Sequence, residues 1–136
     1  MKNKAGFQEI EHTADWALKI WAPSITELLI HAAKGMYTLS GVRYNPAIRR
    51  QRSFHFSFED YETLLVQFLS ELLFYGEKDN IAFNRFRISI EDHHLHTTAF
   101  GHPILSMDKA IKAVTFHQLQ VKHTPEGYEA QVVFDV

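Results

Sequence analysis

Two short segments carry side chains whose types and spacing could do chemistry. The first is His12-Thr13-Ala14-Asp15, an imidazole and a carboxylate within four residues. Such a pair also serves a plain turn, because an aspartate side chain satisfies nearby backbone amides. The second is Phe134-Asp135-Val136, where an aspartate precedes the residue bearing the α-carboxylate. Two carboxylates this close repel unless a cation, a basic side chain or solvent relieves them. Ca²⁺ and Mg²⁺, which prefer oxygen ligands, would do so. A frayed, solvated end is the ordinary reading, and the apolar run that continues to Val136 makes a docked one more plausible than usual.

Other clusters read more plainly. His93-His94-Leu95-His96 is the densest group among nine histidines. On a strand His94 and His96 share a face and His93 points away, so at most two could join a metal site without help from elsewhere. Following Glu91-Asp92 between two strand-like segments, the cluster reads as a hairpin turn. His31 falls within a helix, His55 alternates with phenylalanines, and His117 falls on an apolar strand face as a core histidine. Arg49-Arg50-Gln51-Arg52, with Arg43, could touch RNA phosphate. That run is short and has no interleaved aromatics, so it reads as a solvated linker. The sequence has no phosphate-cradling glycine loop, nucleophile elbow or HExxH motif.

The elements that must position these residues follow from composition and periodicity. The chain has 136 residues, with 14 Lys+Arg against 16 Asp+Glu, hence a net charge of 14 − 16 = −2. That length fits one domain, 1–136. A hydrophobic content of 46% with 11 Phe, 5 Tyr and 2 Trp can fill a core, which argues against disorder. No apolar run approaches a membrane span and the first residues lack a signal peptide's apolar stretch, so a soluble cytoplasmic protein is expected. Zero cysteines exclude disulfides and thiolate chemistry. A charge near zero argues against tight RNA binding by the whole surface.

Residues 7–12 and 16–21 read as short strands around the His12-Asp15 turn. Ser24-Ile25-Thr26-Glu27 is a capping box. Leu28, Leu29, Ala32, Ala33, Met36 and Leu39 then recur at helical spacing, and Gly41 is a plausible stop. Phe54, Phe56 and Phe58 alternate with polar residues as a half-buried strand. Glu59-Asp60 opens a second helix, with Leu64, Leu65, Phe68, Leu69, Leu72 and Leu73 as its core stripe, running to about Gly76. Residues 86–90 and 95–100 alternate as strands. Thr124-Pro125-Glu126-Gly127 suits a turn joining residues 115–123 to 128–135. In that register opposed residues sum to 251, so Lys122 faces Glu129, Gln118 faces Val133 on a polar surface, and Asp135 faces Phe116. His117, Leu119 and Val121 then share the apolar face. The predicted class is α+β: two main helices packed on a mostly antiparallel sheet, ending in a β-hairpin.

Four separated segments together resemble the archease family: Glu11-His12-Thr13-Ala14-Asp15, Phe68-Leu69-Ser70-Glu71-Leu72-Leu73, Ile111-Lys112-Ala113-Val114-Thr115-Phe116-His117 and Val132-Val133-Phe134-Asp135-Val136. Their order and spacing extend the resemblance over essentially the whole chain. One stretch departs: Leu105-Ser106-Met107-Asp108-Lys109-Ala110 lacks the histidine that family members often carry there. The resemblance implies a non-enzymatic protein cofactor of an RtcB-type RNA ligase, acting in tRNA splicing or RNA repair. Such a ligase joins an RNA 3′-phosphate or 2′,3′-cyclic phosphate to a 5′-hydroxyl, using GTP and a divalent metal. The cofactor promotes guanylylation and multiple turnover, and RNA is met indirectly, through the ligase. The resemblance also implies a calcium site formed by Asp15, Asp135 and the terminal carboxylate of Val136. His12 is then a neighbour of the site, with Lys112 and His117 as further candidates.

Two other classes stay open. A small metal-dependent phosphohydrolase or cyclic-phosphate-processing enzyme could use the same cation with His12 as general acid or base. It lacks an evident nucleophile or oxyanion device. A chaperone-like module with a purely structural metal is the third.

Overall fold

The computed structural model describes residues 4–10 and 16–136. Strands β1 (Gly6–Ile10) and β2 (Trp16–Ala22) pair antiparallel, with Phe7 opposite Ile20. Ser24, in extended geometry, accepts the Glu27 amide at 3.2 Å, and its hydroxyl donates to the Glu27 carboxylate at 3.3 Å. This cap starts helix α1 (Ile25–Ser40), which ends at Gly41 with φ 64°, a left-handed position that glycine adopts without a Cβ penalty. Strands β3 (Arg43–Tyr44) and β4 (Arg50–Ser57) lead to α2 (Tyr61–Asp79). After it come β5 (Ile81–Glu91), β6 (His94–Ser106), β7 (Ala113–Thr115), β8 (Lys122–Thr124) and β9 (Gly127–Asp135).

Asp60 caps α2 by accepting the Thr63 amide at 2.7 Å. That bond stabilises the carboxylate and holds its pKa below the ordinary value. A depressed folded-state pKa contributes stability above the unfolded value and loses it as pH falls through the folded one. Asp60→Asn keeps a capping oxygen that does not titrate. The variant is therefore expected to hold its melting temperature better than the parent across the acid limb below about pH 4, and parallel melting curves in that range would contradict this.

The α+β expectation holds, with the strands divided between two antiparallel sheets. In one, β9 lies between β2, which continues to β1, and the short strands β7 and β8; in the other, β6 is bonded to β3, β4 and β5. Helix α1 packs on β1, β2 and β9 and also meets β5, while α2 meets β5 and β7. Leu28, Leu29, Ala32, Ala33 and Met36 of α1 join Leu64, Leu65, Phe68, Leu69 and Leu72 of α2 in one core with Leu18, Phe54, Leu95 and Phe134.

Several expectations are corrected. Helix α2 runs past Gly76 to Asp79, because the residue that takes the left-handed cap is Asn80, whose φ is 58°. The basic run is not a linker: β4 begins at Arg50, and Arg52 pairs with Asp79 at 3.0 Å. Strands β5 and β6 are longer than the alternating segments suggested, and Asp92-His93 joins them as a two-residue turn with φ of 50° and 59°, both positive as a type I′ turn needs.

The C-terminal hairpin holds its register only near the turn. Opposed residues sum to 251 at Lys122 and Glu129 but to 248 at Thr115 and Val133, so three extra residues stand on the β7–β8 side. They are absorbed in residues 116–121. The Leu119 amide bonds back to the Phe116 carbonyl at 3.0 Å, and Gln118 takes a left-handed φ of 51°. Side chains replace the missing ladder bonds. Thr115 Oγ1 accepts the His117 amide at 3.2 Å and donates to the Val133 carbonyl at 3.0 Å, while Glu62 of α2 accepts the Val121 amide at 2.7 Å. Leu119 and Val121 still pack on the core. His117 and Phe116 are exposed, however, and Val133, assigned to the polar surface, is buried.

Candidate functional site

The expected site lies where β2 begins and β9 ends. The last pair of their ladder sets Trp16 opposite Phe134. Trp16 is the residue after Asp15 and Phe134 the residue before Asp135. Asp15 and His12 themselves lie outside the described residues. On its other edge β9 meets β7, where Asp135 pairs with Ala113 rather than Phe116. The Lys112 amide donates to the Asp135 carbonyl at 2.8 Å. Lys112 is therefore brought beside Asp135 through its backbone, and its own side chain is exposed. Val136 packs its side chain on the core, so the segment is docked rather than frayed. His117 stands further along, in the exposed loop after β7, and does not occupy the core position expected of it.

The Asp135 carboxylate is exposed, and no arginine or lysine pairs with it among the described residues. Lys109 is the neighbouring cation that the sequence reading passed over. Its Nζ lies 6.0 Å from the centroid of the Trp16 ring, on the strand end that leads from Asp15. A lysine in the segment before the third motif was visible, but its proximity to Trp16 depends on the β7–β9–β2 pairing and has no local signal.

The histidine cluster gains the outside help that the sequence left open. His55 of β4 is directly opposite His96 of β6, and the rings of His55, His94 and His96 lie 4.7 to 5.5 Å apart. His94 Nδ1 is 2.9 Å from Ser57 Oγ. The three rings tilt and stack against one another on the outer sheet face, and among the described residues no three His, Asp or Glu side chains converge as metal ligands.

Comparison with known proteins decides the family. Residues 7–136 match the model of the archease protein family. The chain belongs to the archease family. Relatives named protein archease include one from Methanosarcina acetivorans, 31% identical over 142 residues and covering 96% of this chain and 95% of that one. Another, from Methanosarcina barkeri, is 30% identical with the same coverage. Among solved structures, the archease of Thermotoga maritima superposes with a TM-score of 0.70 at 25% identity, covering 95% of this chain and 96% of its own. Membership supports a protein-cofactor role for this archease. No helix among the described residues is long and apolar enough to cross a membrane.

Proposed function

We propose that this archease is a non-enzymatic protein cofactor of an RtcB-type RNA ligase, promoting guanylylation and multiple turnover in tRNA splicing or RNA repair. One observation supports the reading: Trp16, the residue after Asp15, is paired with Phe134, the residue before Asp135. Asp15, Asp135 and, in a chain that ends at Val136, its α-carboxylate would hold a divalent cation there. The donors are all oxygens and the chain has no cysteine, a set that suits calcium. Bound there, the cation would neutralise the mutual repulsion of the carboxylates and offer open coordination positions to a partner's oxygen ligands.

The chain's own residues set up that corner. Phe134 and Val136 anchor the strand end in the core, and the Lys112 amide fixes the Asp135 backbone. Lys112, whose backbone lies beside Asp135 and whose side chain is exposed, would be the polar group nearest to the ligase, with His12 and the more distant His117 as further candidates. The near-neutral net charge of −2 for the whole chain fits a cofactor that leaves the basic RNA-binding surface to the ligase, which its carboxylates would complement.

The test is multiple-turnover RNA ligation with an RtcB-type ligase from the same source. Asp15→Ala and Asp135→Ala are each expected to lose most of the stimulation, about tenfold or more, with melting temperatures unchanged in the absence of calcium. Full stimulation by both variants would overturn the site, no stimulation by the parent protein would overturn the role, and turnover of cyclic-phosphate ends without ligase would make it an enzyme.

A further inference from the structure

The six arginines of the chain fall into two groups. Arg43 pairs with Asp108 and Arg52 with Asp79, each at 3.0 Å. The other four, Arg49, Arg50, Arg85 and Arg87, make no carboxylate pair among the described residues. They gather at one end of the β4–β6–β5 sheet. Arg49, Arg50 and Arg85 line an open cleft of about 800 Å³ with Asn84, Phe100 and His102, and no lysine or carboxylate lines it.

The fold builds this cleft from three strands. Directly opposed side chains share a sheet face, so Gln51, Phe100 and Arg85 form one outward row, and Ser53, Thr98 and Arg87 the next. A bulge between Phe83 and Arg85 leaves Asn84 out of the ladder, a distortion that re-aims neighbouring side chains. It requires glycine across from it. A Cβ on Gly101 would fall on the Ala82 carbonyl oxygen and lie 2.7 Å from Phe83 Cα.

The contacts in and beside the cleft combine guanidinium groups with aromatic rings. The Arg85 guanidinium lies over the Phe100 ring, 4.2 Å from its centroid, and Arg87 approaches the same ring at 5.7 Å. His102 stacks on Tyr44 at 4.8 Å and 9°, and Asn84 donates to the Tyr44 hydroxyl at 3.1 Å. His102 Nδ1 is 2.8 Å from the Ile48 carbonyl, which only accepts, so Nδ1 carries the hydrogen and Nε2 is left as an acceptor.

Guanidinium forks match phosphate oxygens, and a guanidinium stacked on an aromatic ring offers a flat surface on which a base can stack. Arg85 and Arg87 stand on adjacent rows of the sheet, about 6.6 Å apart along β5, and Arg49 and Arg50 line the cleft from the start of β4. That spacing suits a chain of phosphates better than a single anion. The arginine run has no aromatics interleaved in its own sequence; β6 supplies one, Phe100, from fifty residues away (100 − 50 = 50).

We infer that this cleft docks single-stranded RNA directly, its phosphates on Arg49, Arg50, Arg85 and Arg87 and a base against the Arg85–Phe100 stack. The choice of RNA among polynucleotides rests on the ligase-cofactor role. An acidic polypeptide could use the charges but not the stack. The site lies on the outer face of the β4–β6–β5 sheet, whereas the carboxylate corner belongs to the other sheet.

Fluorescence anisotropy with a labelled short oligouridine and the full chain tests this. Four phosphate contacts on a single strand predict a salt slope of roughly −2.8, a loss of roughly fifty-fold in affinity between 50 and 200 mM salt. Arg49→Ala with Arg85→Ala should reduce the slope by about 1.4, and Phe100→Leu should weaken binding about fivefold or more with the slope kept. All of these positions are exposed or half-buried, and circular dichroism checks that the variants fold. Absence of oligouridine binding at 50 mM salt, an unchanged slope in the double variant, or displacement by polyglutamate as effective as by unlabelled oligouridine would overturn the inference. Ligation measured on the same samples separates the two readings: stimulation without oligouridine binding removes only the docking site, and binding without stimulation removes only the ligase role.

Discussion

Phe134→Ala is expected to destabilise the protein by about 3–5 kcal/mol, the range for deleting a fully buried phenyl ring. Asp135→Ala, one residue on, should stay within about 0.5 kcal/mol, as exposed substitutions away from packed groups do. The contrast follows from β9. Phe134 is 0% exposed, opposite Trp16 of β2 on one side and Val114 of β7 on the other. Val132 and Val133 beside it are also buried, so the strand has little room to collapse around the lost ring. Urea unfolding followed by circular dichroism gives both values. The two variants should then differ in how they fail with the ligase: Phe134→Ala loses stimulation in step with its unfolded fraction and recovers it on cooling, whereas Asp135→Ala loses stimulation while folded. A Phe134→Ala protein as stable as the parent would mean that the strand end is held by something other than this ring.

What the sequence made legible is what is set locally. Ser24 and Asp60 announce their helices because a short oxygen side chain before an apolar run has one good use, accepting first-turn amides. Gly127 with Pro125 places the last hairpin turn, and Lys122 does face Glu129. The register drifts beyond that because Thr115 and Glu62 substitute side-chain oxygens for ladder partners, and Glu62 is some sixty residues away in sequence (121 − 62 = 59). Gly76 misled for a related reason. A glycine inside a helix is only a modest cost, about 1 kcal/mol against alanine, and the next residue able to take a left-handed cap ended the helix instead. Of the proposed carboxylate site, the structure describes only the Asp135-Val136 end, which the local apolar run of the last strand made legible as a docked segment. The arginine cleft was not, since Arg49, Arg85 and Phe100 have no common signal until three strands and a bulge bring them together.

Calcium at about a hundred times its dissociation constant is expected to stabilise the parent protein by about 2.7 kcal/mol, an increase of roughly 10 °C in melting temperature for a chain of this size. A cation held by carboxylates from two distant motifs would bind the folded chain and not the unfolded one, so its binding free energy would add to stability. Asp135→Ala should lose most of that shift, because it removes a donor whose backbone the Lys112 amide holds in place. In a chain that ends at Val136, lengthening it by a few residues should do the same, since that converts the terminal carboxylate into a peptide carbonyl and moves the charge away. The extension leaves the core untouched, so without calcium the extended and parent proteins should melt together. Equal calcium shifts in all three proteins would show that the cation binds elsewhere. A shift retained by the extended chain but lost by Asp135→Ala would leave an aspartate-based site and remove Val136 from it. The same three proteins in multiple-turnover ligation then tie metal to function: if the corner acts through its cation, stimulation must fall in the order in which the calcium shift falls.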